Sequence, residues 1–222
     1  MEDEMRHDRE VAERGREDDD AREALGVCHL LRLASRVLAS RPVKEDVDEL
    51  EMIAVLLGFE DFGSHDVFSL AERFDDRFYV PGSRWYVPLT ESCVRRAQCE
   101  GGAYRYASKE SPYRSHAMRC YAAAGFRWED VAGDAPGHAI EPDSLAVELA
   151  FLAYLKECEA AAVREGDAAS AERCAGLSAS FARDHACCWL TKAISCLESS
   201  QEDFFSRTVR LAELAVRMTW GA

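Results

Sequence analysis

The chain has 222 residues, of which 48% are hydrophobic and 31% are charged, and its formal net charge is −14. That length suffices for one substantial hydrophobic core, or for two small cores that share an interface. The negative charge argues against a nucleic-acid-binding protein, because contacts to phosphates require Lys and Arg. It favours a basic peptide or a basic surface as a partner.

The nine cysteines are an odd number and form no C-x-x-C pair. An odd set of thiols within apolar helical patterns is typical of a protein in a reducing compartment. His185 and Cys188 lie one helical turn apart and could share a zinc ion, but no second pair of ligands accompanies them. We therefore predict no metal site.

The first 24 residues are almost wholly charged and lack the apolar segment of a signal peptide. No apolar run of the sequence approaches the roughly 18 residues that a membrane span requires. These two features predict a cytoplasmic protein without stable membrane insertion.

The predicted elements are helices throughout. Residues 1–22 are polar and acidic, which predicts a mobile tail, and residues 23–222 are predicted to form a single compact all-α domain. Apolar positions at steps of three and four residues predict about eight helices, and no segment shows the sustained alternation of a strand. In chain order the helices cover about residues 24–40, 44–57, 65–78, 91–100, 111–124, 143–164, 168–197 and 201–220.

The loop at residues 79–90 has two prolines and three large aromatic residues, so neither helical nor strand periodicity fits it. It is too apolar to lie in water without a partner. Two interpretations stay open: the loop packs on the core, or it lines a groove of the aromatic kind that binds peptides.

Residues 127–143 are predicted to be a hinge loop that leads into a long helix. Pro142 suits the first position of that helix or the position just before it. Glu141 and Asp143 place negative charge at the positive end of the helix dipole, and Glu141, Ser144 and Glu148 share one face. The spacing alone supports either a well-capped helix start with solvated acids or a ligand-binding hinge.

Three segments together resemble one known family, the TorD/DmsD-type redox-enzyme maturation chaperones, which are related to the NarJ group. Residues 85–92, WYVPLTES, are similar to the family's aromatic-x-Pro-x-x-Glu-Ser segment. Tyr121 with Gly125 and Phe126 resembles its Y-x-x-x-G-F step, and residues 141–144, EPDS, resemble its Glu-Pro-Asp-His hinge motif. Residues further on that are similar to its C-terminal pattern are Phe181, His185, Trp189, Phe204 and Phe205.

The resemblance covers roughly residues 27–220 and implies a TorD-like helical chaperone, with no catalytic activity. Such a chaperone binds the twin-arginine signal peptide of a molybdenum- or tungsten-cofactor oxidoreductase precursor and holds the precursor until its cofactor is inserted. The resemblance further implies a monomer or a domain-exchanged dimer, and no cofactor apart from the weak guanine-nucleotide binding attributed to some members. The signal-peptide-binding residues that it predicts are Trp85, Tyr86, Pro88, Leu89, Glu91, Glu141, Pro142, Asp143, Ser144, Glu148 and His185.

The sequence departs from the family pattern at Ser144, where the hinge motif has a histidine. A hydroxyl donates and accepts hydrogen bonds but does not titrate near neutrality. A role that needs an ionising imidazole would therefore require His138 or His185 to lie nearby in the fold.

A twin-arginine leader needs carboxylates for its guanidinium groups and an apolar groove for the stretch that follows. We expect Trp85, Tyr86 and Asp143 to share one trough. The acids available for it are Glu91, Glu141, Asp143 and Glu148, and the apolar wall would come from Trp85, Tyr86, Leu89 and Trp128.

Two alternatives come from other classes of protein. One is a helical regulatory domain that binds a small ligand. The other is a small-molecule enzyme that uses Glu148 with either His185 or Glu141 as an acid–base pair. The enzyme is the weaker alternative, because the sequence has neither a G-x-S-x-G nor an H-E-x-x-H motif to supply an activated nucleophile or a metal.

Overall fold

The structure is a computed structural model, and it describes residues 24–59, 62, 65–131 and 140–221. The predicted tail, residues 1–22, and the centre of the predicted hinge, residues 132–139, lie outside these described residues.

The all-α prediction is confirmed, because helices account for nearly all regular structure in the described part of the chain. None of these helices combines the length and the apolar character needed to cross a bilayer. In chain order the elements are α1 (residues 24–39), α2 (Lys44–Leu56), α3 (Val67–Phe78), α4 (Glu91–Val94), β1 (Gln98–Glu100), β2 (Ala103–Arg105), α5 (Pro112–Ala124), a 3₁₀ turn (Trp128–Asp130), α6 (Leu145–Glu165), α7 (Ala168–Asp184), α8 (Ala186–Ser200) and α9 (Phe204–Trp220).

The predicted helix at residues 91–100 is wrong in its second half. Helix α4 ends at Val94, and residues 98–100 form β1, which pairs with β2 in an antiparallel hairpin. Gly101 and Gly102 make the turn, with φ angles of +61° and +86°. Glycine adopts this left-handed region without steric cost, and a pair of such residues closes a tight hairpin.

The predicted helix at residues 168–197 is two helices. The backbone leaves helical geometry at His185, with φ −118° and ψ −92°, so α7 ends at Asp184 and α8 begins at Ala186. This break explains why the described part of the chain has nine α-helices where the apolar pattern predicts about eight. The imidazole of His185 turns inward at this point and is buried.

Helix α6 lies at the centre of the core. Its side chains Leu149, Phe151 and Leu152 are fully buried, and the helix packs along α7. Helix α1 crosses it closely enough for the Ser35 hydroxyl to donate to the carbonyl of Ala146 at 2.7 Å. A helix apolar on so many sides must be enclosed by its neighbours, and here they are α1, α7 and α8.

The start of α6 differs from the prediction for Pro142. Ser144 is the N-cap, and its hydroxyl accepts a hydrogen bond from the amide of Val147 at 3.3 Å. Pro142 therefore lies in the turn that precedes the cap rather than at or just before the first helical position. Ser is among the residues best suited to cap a helix, since its side chain satisfies an amide that has no partner within the helix.

Candidate functional site

The three segments that carry the family resemblance meet at the start of α6. The amide of Glu91 donates to the carbonyl of Asp143 at 2.8 Å, so the segment at residues 85–92 is joined to the hinge motif through the backbone. The hydroxyl of Tyr121, on α5, donates to the carbonyl of Pro142 at 2.9 Å. These contacts fix α4, α5 and α6 relative to one another.

Asp143 is buried and ties the hinge motif to α4. One of its carboxylate oxygens accepts hydrogen bonds from the amide of Ser92, at 2.9 Å, and from the Ser92 hydroxyl. The same hydroxyl contacts that of Ser111, the N-cap of α5, at 2.6 Å. Burial raises the pKa of the Asp143 carboxyl, and the hydrogen bonds from Ser92 oppose that rise.

Glu91 and His185 form a buried pair. One carboxylate oxygen of Glu91 lies 2.6 Å from His185 Nδ1, and the other accepts from Arg95 at 2.6 Å. Burial lowers the pKa of His185, but hydrogen bonds with Cys120 and Glu91 and the charges of Glu148 and Glu91 outweigh it and raise the pKa to about 10. Because a carboxylate only accepts hydrogen bonds, the Nδ1–H of His185 donates to Glu91.

Glu148 is buried beside this pair. We call Glu91, Asp143, Glu148 and His185 together the buried network. One of the Glu148 oxygens accepts from the indole nitrogen of Trp189 at 2.9 Å, while the other has no hydrogen-bond partner among the described residues. Burial and the charge of Glu91 raise the pKa of Glu148 well above its usual value, and the charge of His185 and the hydrogen bond from Trp189 oppose that rise. With no exposed surface, Glu148 cannot reach a substrate, and the structure gives no support to an acid–base pair of Glu148 and His185.

The buried positions of Glu91, Asp143 and Glu148 correct the expectation that they stand at the edge of a groove. Each is at most 1% exposed and binds a neighbouring element of the fold. Buried carboxyl groups are retained where such partners satisfy them. In this conformation they hold neighbouring elements of the fold together, and their carboxyl groups are not accessible to a peptide.

A cavity of about 290 Å³ lies between the loop at residues 79–90 and the start of α6. Tyr86, Pro88, Leu89, Glu141 and Ser144, all predicted site residues, line this cavity, which we call the hinge cavity. The remaining lining residues are Leu38, Phe78, Tyr79, Thr90, Lys109, Ile140 and Ala146. The structure thus brings aromatic and apolar side chains together with one acid.

Glu141 is the predicted acid that faces the hinge cavity. Its side chain is 24% exposed, and it pairs with Lys109 at 2.9 Å and with Arg114 at 3.1 Å. Both cations come from this chain and are themselves partly exposed. An incoming arginine can therefore exchange with them at modest cost, because exposed ion pairs contribute little free energy.

Trp85 lies outside the hinge cavity. Its ring stacks against the guanidinium groups of Arg73, at 4.5 Å, and Arg84, at 4.3 Å. Trp128, in the 3₁₀ turn, packs partly buried against the core and does not line the cavity either. The trough that Trp85, Tyr86 and Asp143 were expected to share does not form, since Asp143 is buried and Trp85 is held by arginines.

Ser144 has a structural position that needs no titrating group. It caps α6, pairs with Thr90 as an isolated antiparallel bridge, and lines the hinge cavity. The cap uses the hydroxyl, whereas the bridge is formed by the backbone. His138, the other histidine considered for the motif position, lies outside the described residues.

Arg77 is a buried residue that the sequence reasoning missed. Its guanidinium donates to the carbonyls of Trp85, at 3.0 Å, and Leu197, at 2.9 Å, and pairs with Asp203 at 3.0 Å. It thereby fixes the loop that forms one wall of the hinge cavity. The available signal was its position on the apolar stripe of α3, three residues after Phe74.

A second cavity, of about 440 Å³, opens beside the break between α7 and α8. Most of its polar lining is cationic, and the residues are Arg95, Pro112, Tyr113, His116, Arg119, Arg183, Asp184, His185 and Cys188. His116 was not a predicted site residue. Its signal was the spacing of four residues to Cys120, which places both on one face of α5.

Two groups within the described residues have potential metal-ligand atoms within 4.8 Å of one another. One is His116, Cys120 and His185, and the other is Glu91, Glu148 and His185. The second group is fully buried, whereas the first reaches the second cavity through its two imidazoles. The zinc pair considered from spacing, His185 with Cys188, is not among these groups.

We compared the chain with models of known protein families, with curated proteins and with solved structures. Residues 39–195 match the model of the family described as the nitrate reductase delta subunit. This range includes the three segments that carry the resemblance and every lining residue of the two cavities apart from Leu38. No curated protein and no solved structure gives a significant match. The match spans well over half of the chain and confirms the resemblance to the NarJ and TorD type. The chain belongs to the nitrate reductase delta subunit family, whose members are molybdoenzyme maturation chaperones.

Proposed function

We propose that this protein binds the twin-arginine signal peptide of a molybdenum- or tungsten-cofactor oxidoreductase precursor in the cytoplasm and holds the precursor until its cofactor is inserted. The observation that carries the proposal is the hinge cavity, in which Tyr86, Pro88 and Leu89 face Glu141 in a member of a chaperone family. This is the pairing of apolar wall and carboxylate that a leader with two arginines and an apolar stretch requires.

The size of the hinge cavity limits what it receives. A volume of about 290 Å³ is at the lower end of the range for small-molecule pockets. It accommodates one or two anchor side chains of an extended peptide and not a whole helix. Peptide affinity commonly depends on a few such anchors, with the remaining contacts serving to exclude water.

Glu141 supplies the charge recognition in this proposal. An arginine of the leader replaces Lys109 or Arg114 and forms a two-pronged pair with the carboxylate, which a lysine cannot do. The net charge of −14 speeds the encounter with a cationic peptide and makes it sensitive to salt.

Titration calorimetry with a synthetic leader peptide tests the proposal. The peptide has an Arg-Arg pair and an apolar stretch, and it is compared with a Lys-Lys version and with a version whose apolar stretch is replaced by Ser and Gly. We expect both changes to weaken binding by about tenfold or more, that is 1.4 kcal/mol, and salt to weaken the Arg-Arg peptide further. Equal affinities for all three peptides would contradict the proposal.

A second experiment addresses the holding step. The protein is isolated from its native cell, and the proteins that accompany it are identified before and after molybdate starvation. We expect the precursor of a molybdopterin oxidoreductase, with its leader intact, to accumulate on the chaperone when the cofactor cannot be made. Recovery of only the mature, leader-free enzyme would contradict holding through the leader.

A further inference from the structure

Three side chains converge where α5 meets the junction of α7 and α8. Nδ1 of His116 lies 2.7 Å from Nε2 of His185, and Sγ of Cys120 lies within 4.8 Å of a ring nitrogen of each. His116 and Cys120 are one turn apart on α5, so both face the same neighbour. We propose that His116, Cys120 and His185 form a binding site for a zinc-class divalent ion, a property that goes beyond the proposed peptide binding.

The ligand set selects the class of metal. One thiolate with two imidazoles suits zinc and related borderline ions, whereas magnesium and calcium require oxygen ligands. Tetrahedral zinc holds its nitrogen and sulfur ligands about 3.3–3.6 Å apart, from bond lengths of about 2.0–2.3 Å. Small side-chain rotations of His116 and Cys120, both partly exposed, bring the three atoms to that spacing.

Glu91 provides the outer support that such a site needs. Its carboxylate accepts from His185 Nδ1 at 2.6 Å, which leaves Nε2 of the same ring directed at His116. A carboxylate that orients a histidine in this way is a regular feature of zinc sites, because it fixes the tautomer and makes the ligand nitrogen more basic. The Cys120 thiolate bound to the ion supplies one negative charge, and the Glu91 carboxylate, which is shared with Arg95, offsets part of the second positive charge.

The second cavity gives the ion a route and an open coordination position. Both imidazoles line this cavity, so three protein ligands leave a fourth position for water or for a ligand from solvent. The arginines nearby are partly compensated, since Arg95 pairs with Glu91 at 2.6 Å and Arg183 with Asp184 at 3.0 Å.

Metal titration of the untagged, chelator-treated full chain tests the proposal. Zinc affinity is measured in competition with a chromophoric chelator, and cobalt is used to record a spectrum. We expect one ion per chain, with the charge-transfer band of a cobalt–thiolate bond and the visible bands of four-coordinate cobalt. Failure to bind zinc or cobalt at one ion per chain would overturn the proposal.

Variants locate the ion. Cys120→Ser and His116→Ala should each weaken zinc binding by at least about 100-fold, since even changes outside the ligand set cost 10–100-fold. Both residues are partly exposed, so these variants keep the fold, which circular dichroism verifies. Matched controls are Cys99→Ser, on the hairpin, and His29→Ala, on α1, and both should retain wild-type affinity. Binding that survives Cys120→Ser but is lost in Cys188→Ser would overturn the assignment.

Discussion

The buried network and the hinge cavity are built from the same two segments of the chain but differ in what their side chains can do. Glu91 and Asp143 belong to the network, are buried, and bind His185 and Ser92. Leu89 and Glu141, each two residues away, line the cavity. A residue's membership of a family motif therefore does not tell whether it contacts a ligand or holds the fold, because burial decides between these roles.

The largest effect should come from breaking the buried network. Glu91→Ala leaves His185 and Arg95 without their carboxylate, so we expect the free energy of unfolding of the metal-free protein to fall by about 3–5 kcal/mol. Urea unfolding measures this. The control is Glu100→Ala, which removes an exposed pair with Arg105 and should cost about 0–1 kcal/mol. Similar losses in the two variants would contradict the distinction between network and surface.

A smaller effect, which depends on pH, should follow from Asp143→Asn. Because the pKa of Asp143 is raised in the folded state, the carboxyl contributes stability below the unfolded pKa of about 3.9 and loses it as pH rises through the folded pKa. The amide oxygen of the variant can still accept from Ser92. We expect the variant to gain stability relative to wild type as pH rises above about 4, measured by urea unfolding at several pH values. If the unfolding free energies of the variant and the wild type changed with pH in the same way, the buried charge of Asp143 would not destabilise the fold, and the prediction would be wrong.

On the cavity side, Glu141→Gln should affect binding rather than folding. The two-pronged arginine pair is lost, so we expect the affinity for the Arg-Arg leader peptide to fall by about tenfold. The pairs with Lys109 and Arg114 are partly exposed, so stability should change by less than about 1 kcal/mol. Calorimetry measures the change in peptide affinity, and urea unfolding measures the change in stability. Glu129→Gln, on an exposed position away from the cavity, is the control and should change neither.

The smallest expected effect distinguishes two neighbouring aromatic residues. Tyr86 lines the hinge cavity and Trp85 does not. Tyr86→Ala should weaken leader binding by about 1 kcal/mol, the loss at which truncation of an interface residue begins to count as loss of an anchor. Trp85→Ala should change the affinity by less than about twofold, or 0.4 kcal/mol. Calorimetry on both variants checks this, and a larger loss for Trp85 would place the peptide on the arginine-bound face of the loop instead.

Local periodicity was enough to predict most helices, because an amphipathic stripe is a property of neighbouring residues. Helix α2 was expected at residues 44–57 and is found at Lys44–Leu56. One error, the single helix expected at residues 168–197, falls where a tertiary contact competes with local preference. His185 fits the apolar register of a continuous helix, yet its ring binds Glu91 and the backbone breaks there.

The sequence by itself determined the all-α class, the acidic charge and the family, because helical periodicity, composition and ordered motifs are local or linear properties. Only the tertiary structure decided which motif acids are buried, which ones line the hinge cavity, and that His116 and Cys120 meet His185. Glu91 and His185 are 94 residues apart in the chain, and no spacing rule reaches across that distance. Long-range packing sets the burial of a carboxyl group, and burial determines whether it supports the fold or meets a partner.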